Sequence, residues 1–132
     1  MKTTNTLALC FTLLLLLAAP ATAQKGAGAK PKTFYTEGTF SDIKAGEGGD
    51  YGGMQVYLTD SDGQFYALVT IAEGVLLPPV LVKAQVDVDS RKVEFSLPGE
   101  GGARKFTGQV TADGLTLTEE GGEKHTLKRK CY

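Results

Sequence analysis

The stretch that decides the fold is Val80 to Asp89, which reads VLVKAQVDVD. Its even-numbered positions hold four valines and one alanine, and each odd-numbered position after Leu81 is polar or charged. Strict alternation places the apolar side chains on one face of an extended chain, whereas a helix would scatter them around its axis. The pattern therefore predicts a β-strand with one face toward a core and the other toward solvent.

Short alternating segments of the same kind fill the chain from residue 34 onward, separated by turns rich in Gly, Asp and Pro. Residues 60–63 (DSDG) form the clearest turn, because Gly63 can adopt the positive φ that a short hairpin loop needs. No segment has the apolar period of a helix. We predict eight strands, at residues 34–41, 54–59, 64–72, 80–89, 92–97, 105–111, through Leu115 and Leu117, and at 123–129.

Short turns between successive strands predict an up-and-down arrangement of antiparallel neighbours. Such a sheet can bury its apolar face by closing into a barrel or by folding over itself as a sandwich. Closure also removes exposed strand edges. We therefore expect an all-β chain that forms a single small antiparallel β-barrel of about eight strands, with a β-sandwich as the alternative.

The N-terminus has the features of a secretory signal peptide. A positively charged start is followed by an apolar stretch over residues 7–19, and residues 21–23 (ATA) match the small-residue pattern that signal peptidase accepts. The apolar stretch is shorter than the roughly 20 residues that cross a bilayer as a helix. We expect cleavage after residue 23, a flexible linker at residues 24–32, a β-barrel domain at residues 33–132, and a periplasmic or extracellular protein without a membrane span.

Charge and cysteine content narrow the range of partners. The formal net charge is −1 at pH 7, so the sequence offers no electrostatic basis for binding nucleic acid. Cys10 would leave with the signal peptide, and Cys131 would then be the only cysteine. No internal disulfide is possible in that form, and we expect a monomer or a dimer linked through Cys131.

The segment least explained by folding alone is residues 75–82, which reads VLLPPVLV. Two prolines cannot donate the hydrogen bonds of a sheet, so Leu76, Leu77, Pro78 and Pro79 are predicted to lie outside a central strand. An apolar loop with a rigid centre suits a lid over a barrel mouth or a docking surface for a partner. Alternatively, the two leucines close the barrel end as part of the core.

Four ring side chains complete the candidate site. Tyr35, Tyr57 and Tyr66 fall on the outward face of the first three predicted strands, where they would form an aromatic stripe for a flat ligand or pack across the strands. His125 shares the inward face with Leu127 near the barrel end. Because no nucleophile or metal-ligand set stands at a recognisable spacing from His125, we predict no catalytic residue, no metal, no cofactor and no enzymatic activity.

Three C-terminal motifs accompany this strand pattern: FTGQV at residues 106–110, GLTL at 114–117 and LKR at 127–129. With them the chain resembles small exported bacterial proteins that have a lipocalin-like, calycin-type β-barrel. The resemblance implies the same barrel, but it carries no site residues over.

Two functions follow as hypotheses. The first is a non-catalytic binding module that takes a small apolar or amphipathic ligand at one end of the barrel, whose interior is just wide enough for side chains or one small ligand. The alternative is a cell-envelope protein-interaction or structural domain with a filled core, which would act through its outer surface.

Overall fold

The computed structural model describes residues Tyr35–Cys131. The predicted signal peptide and linker lie outside the described residues and stay predictions, as does the periplasmic or extracellular location. The strands are β1 (Gly38–Ser41), β2 (Lys44–Ala45), β3 (Tyr51–Ser61), β4 (Gln64–Leu76), β5 (Val80–Asp87), β6 (Lys92–Leu97), β7 (Arg104–Val110), β8 (Gly114–Glu119) and β9 (Lys124–Lys130).

Eight of these strands form a closed antiparallel barrel. From β3 to β9, each strand pairs with the next one along the chain. β1 pairs with β9 on one side and with β3 on the other, so it supplies hydrogen bonds to both free edges of the sheet. The prediction of an all-β, up-and-down barrel is confirmed, and the chain does not adopt the sandwich alternative. Within residues 35–131, no helix is long and apolar enough to cross a membrane.

Two strand boundaries differ from the prediction at the start of the barrel. β1 begins only at Gly38, and β3 begins at Tyr51, within the expected glycine-rich loop. Asp42 joins these two regions, because its backbone N–H donates to the Met54 carbonyl (3.1 Å) and its Oδ1 accepts from the Met54 N–H (2.7 Å). The extra strand β2 then pairs with the first two residues of β3.

The barrel interior is filled by one hydrophobic cluster to which each of its eight strands contributes. The rings of Phe95 and Phe106 stack at a centroid distance of 5.3 Å. The members of the cluster are Phe40, Met54, Val56, Leu58, Ala67, Val69, Ala84, Val93, Phe95, Leu97, Phe106, Val110, Leu115, Leu117 and Leu127. These are the residues that period-two alternation assigned to the inward face.

Val88 is an exception, because it is 58% exposed although the alternation of residues 80–89 predicted it inward. β5 ends at Asp87, whose Oδ1 accepts hydrogen bonds from the backbone N–H groups of Asp89 (3.0 Å) and Ser90 (3.2 Å). Its Oδ2 accepts a further bond from the Ser90 hydroxyl (2.6 Å). The Asp87 carboxylate thus begins a turn one residue before Val88 and directs that side chain into solvent.

Arg129 ties the chain that precedes β1 to the last strand. Its guanidinium donates hydrogen bonds to the carbonyl groups of Tyr35 and Glu37, each at 2.8 Å, and lies 4.6 Å from the centre of the Phe40 ring. These contacts hold the residues that precede β1 against the end of β9, at the place where β1 and β9 pair. The β4–β5 and β6–β7 loops lie at the opposite end of the barrel.

Candidate functional site

The end of the barrel opposite to Arg129 is here called the mouth. It includes the last residues of β4 and β6 and the first residues of β5 and β7. A cavity of about 460 Å³ lies between the two loops that connect these strands. The lining residues are Val69, Ile71, Glu73, Leu77, Pro78, Val80, Leu97, Pro98, Gly99, Glu100 and Arg104. The mouth therefore offers a concave site next to a packed barrel interior.

The cavity is apolar where it meets the core, since Val69 and Leu97 are only 1% and 4% exposed. One wall is formed by Leu77 and Pro78. The Leu77 N–H donates to the Ile71 carbonyl (2.9 Å), which turns the chain back over the end of β4. Because proline has no N–H group, the sheet pairing cannot continue through this segment, and β5 begins at Val80.

Of the predicted loop residues, Leu77 and Pro78 line the cavity, whereas Leu76 and Pro79 are not among its lining residues. β4 continues to Leu76, past the strand end predicted at residue 72. Leu76 and Leu77 are 52% and 40% exposed, so they do not close the barrel as core residues. Leu77 therefore forms part of the cavity wall, and Leu76 lies on the outer surface.

Arg104 connects the cavity to acidic side chains. It donates to both carboxylate oxygens of Glu119, at 2.7 and 2.9 Å, and lies 3.6 Å from a carboxylate oxygen of Glu73. The hydrogen bonds from Arg104 lower the pKa of the Glu119 carboxyl, and the same bonds raise the pKa of the Arg104 guanidinium. Both groups are therefore charged at neutral pH, and Glu100 adds a further carboxylate to the rim.

His125 lies on the inward face of β9, as the alternation predicted, with its ring centre 6.1 Å from that of Phe106. Its Nε2 atom is buried and has no hydrogen-bond partner within the described part of the chain. No partner for His125 is recognisable from sequence spacing, yet the structure brings donor atoms of Glu119, Glu123 and His125 within 4.8 Å of one another. Alternation across the β8–β9 hairpin was the available signal, because it places all three on one face.

The tyrosines are less concentrated than predicted. Tyr57 and Tyr66 are diagonal neighbours on the outward face of β3 and β4, since Tyr57 pairs with Leu68 and Tyr66 with Thr59. Tyr35 lies before β1 and is 78% exposed. The predicted stripe over three strands is therefore reduced to the Tyr57–Tyr66 pair.

Two outer surfaces are also present. Next to Tyr57, Leu68 pairs with Leu81 across β4 and β5, and Leu81 and Val75 are each 63% exposed. A wider depression of about 920 Å³ lies on the outer face of β5 to β9. Most of its lining is polar or charged: Gln85, Asp87, Lys92, Glu94, Thr107, Gln109, Thr111, Thr116, Thr118 and Lys124. It is more open than the mouth cavity, so the mouth is the stronger ligand-site candidate.

These features define a class of protein: a small closed β-barrel with a filled interior and an apolar cavity at its mouth. No protein-family model matches the chain, and neither a curated protein nor a solved structure matches it.

Proposed function

We propose that this protein is a non-catalytic binding module that takes a small apolar or amphipathic ligand in the mouth cavity. The observation that carries this proposal is a cavity of about 460 Å³ bounded by buried Val69 and Leu97 and by the Leu77–Pro78 wall. Ligand pockets typically measure about 300–1,000 Å³ and combine apolar walls with a few polar groups that orient the ligand. The mouth cavity has this size and this composition.

The ligand is oriented by the two kinds of surface in the cavity. Its apolar part packs against Val69, Leu97 and Leu77, which removes apolar area from water. Its polar end lies at the rim, where Glu73, Glu100 and Arg104 are in reach of solvent. This division supports a ligand with one apolar and one polar end over a fully apolar one.

Export to the periplasm or the cell exterior and membership of a lipocalin-like barrel type are part of the same proposal. They rest on the signal-peptide pattern, the C-terminal motifs and the eight-stranded up-and-down closure. Cys131 is a free, exposed thiol in the structure. We propose that it links two chains under oxidising conditions, which a non-reducing gel of the protein and of Cys131→Ser would test.

The binding experiment uses the neutral dye N-phenyl-1-naphthylamine, whose fluorescence rises in apolar surroundings. We expect saturable binding of one dye per chain that is lost in Leu77→Asp, because a carboxylate in the wall disfavours apolar contact. Leu81→Asp is the matched control, since Leu81 is exposed and lies outside the cavity. Absence of saturable binding, or equal loss in both variants, would argue against a mouth ligand site.

A second candidate function, protein interaction at the cell envelope, is favoured by the exposed apolar side chains of Val75, Leu76 and Leu81. These would be covered by a partner protein, since exposed apolar surface marks many interaction sites. In this case Leu76→Asp and Leu81→Asp would abolish cross-linking to an envelope partner and leave dye binding intact. Unchanged cross-linking in both variants would remove the surface from consideration.

A further inference from the structure

The β8–β9 hairpin gathers three potential metal ligands on one face. Glu119 ends β8, Glu123 lies in the turn and His125 is on β9. The hairpin holds them in register, because the Glu119 N–H donates to the Glu123 carbonyl (2.8 Å) and Leu117 pairs with His125. One donor atom from each of the three side chains lies within 4.8 Å of the other two.

The imidazole of His125 is the unusual member of this group. Its side chain is only 14% exposed, and the buried Nε2 has no hydrogen-bond partner in residues 35–131. The nearest carboxylate oxygen of Glu123 is 3.9 Å from Nε2, which is too long for a hydrogen bond. Burial of a polar atom without a partner lowers the stability of a folded chain, and a ligand that binds Nε2 would offset that loss.

Arg104 fixes the orientation of the Glu119 carboxylate. Its two hydrogen bonds, at 2.7 and 2.9 Å, hold the carboxylate of Glu119, whose side chain is 15% exposed. Each carboxylate oxygen keeps a second lone pair, since an ionised carboxylate accepts about four bonds in all. Metal-ligating carboxylates are commonly oriented by such outer hydrogen bonds. The carboxylates of Glu73, Glu119 and Glu123 also outnumber the single Arg104 charge, which favours a cation here.

We propose that Glu119, Glu123 and His125 bind a divalent first-row transition metal ion, for which Zn²⁺ is the probe. One imidazole nitrogen with carboxylate oxygens suits Zn²⁺, whereas Ca²⁺ and Mg²⁺ prefer oxygen ligands alone. Two ligands of one Zn²⁺ lie about 3.4 Å apart. The Glu123 side chain is 70% exposed and can rotate to shorten its 3.9 Å separation from Nε2. None of the three proposed ligands lines the mouth cavity, although Arg104 both lines that cavity and holds Glu119.

The test uses tag-free protein carrying Cys131→Ser, so that neither a histidine tag nor the exposed thiol binds zinc. Because His125 is the only histidine, its ring nitrogens give unambiguous NMR signals. We expect one Zn²⁺ per chain by calorimetry and a Zn²⁺-dependent shift of the Nε2 signal. His125→Gln and Glu123→Gln should each weaken binding at least about tenfold.

The matched control is Glu120→Gln, which removes the same charge from the same turn but lies outside the group. It should change Zn²⁺ affinity less than about twofold, because an exposed charge acts only through screened attraction. Circular dichroism verifies that each variant is folded. The proposal is overturned if folded protein binds no Zn²⁺, if the Nε2 signal does not move, or if Glu120→Gln and Glu123→Gln lose affinity equally. Ca²⁺ binding as tight as Zn²⁺ would also overturn it, as the sign of a diffuse acidic patch.

Discussion

At the scale of single residues, Gly108 shows how closely the barrel strands approach one another. It lies on β7 between the inward residues Phe106 and Val110 and pairs with Leu117 on β8. A Cβ atom at this position would overlap the carbonyl oxygen of Thr116 and lie 2.8 Å from a methyl group of Leu117. The alternation predicted an inward residue here. The close approach of β8 to β7 leaves no room for a side chain at this position.

We expect Gly108→Ala to lower the free energy of unfolding by about 1–3 kcal/mol, because the strands must separate to admit the methyl group. Gly52→Ala is the control, since its Cβ would meet nothing within 4 Å and its φ is not positive. That variant should be neutral within about 0.5 kcal/mol. Urea denaturation of both variants measures the difference. A Gly108→Ala protein as stable as Gly52→Ala would contradict the close approach.

At the scale of elements, the turns determine where a strand ends and where its alternation of inward and outward side chains stops. In the β5–β6 connection the Asp87 carboxylate accepts bonds from Asp89 and Ser90, which ends β5 and exposes Val88. These bonds to Ser90 lower the pKa of the Asp87 carboxyl below its ordinary value of 3.8. The ionised carboxylate is thus the form that stabilises the turn.

This gives a pH prediction with a defined sign. A carboxyl whose pKa is lowered by folding stabilises the folded state above its unfolded pKa, and the contribution is lost as the pH falls through the folded value. Asp87→Ala should therefore lower the urea midpoint at pH 7, and its difference from the unsubstituted protein should shrink below pH 3.8. Ser90→Ala removes the hydroxyl that donates to the Asp87 carboxylate and should weaken the same pH dependence. A difference that stays constant down to pH 2 would refute the assignment.

At the scale of the whole molecule, stability depends on the closing strand β1. This strand has only four residues, yet it pairs with both β3 and β9 and buries Phe40 completely. All eight barrel strands share one core cluster, so loss of the closing strand opens that cluster to solvent. We expect the barrel to unfold as a single cooperative unit.

Phe40→Ala should accordingly destabilise the barrel by about 3–5 kcal/mol, the cost of removing a fully buried ring. Leu81→Ala, on an outward position of β5 that is 63% exposed, should change stability by less than about 0.5 kcal/mol. Chemical denaturation followed by circular dichroism and by tyrosine fluorescence gives both values. Transitions that differ between the two probes would show that β1 opens separately from the rest.

The amino-acid sequence by itself determined the strand order, the hairpin turns and most of the inward set, because alternation and turn chemistry are local properties. It therefore predicted the barrel, the inward position of His125 and the apolar Leu77–Pro78 segment. Only the tertiary structure decided that Leu77 walls a cavity with Leu97, and that Glu119 and Glu123 lie beside His125 under the guanidinium of Arg104. The physical reason is that these contacts join strands through the register and curvature of the closed sheet, which no period along the chain encodes.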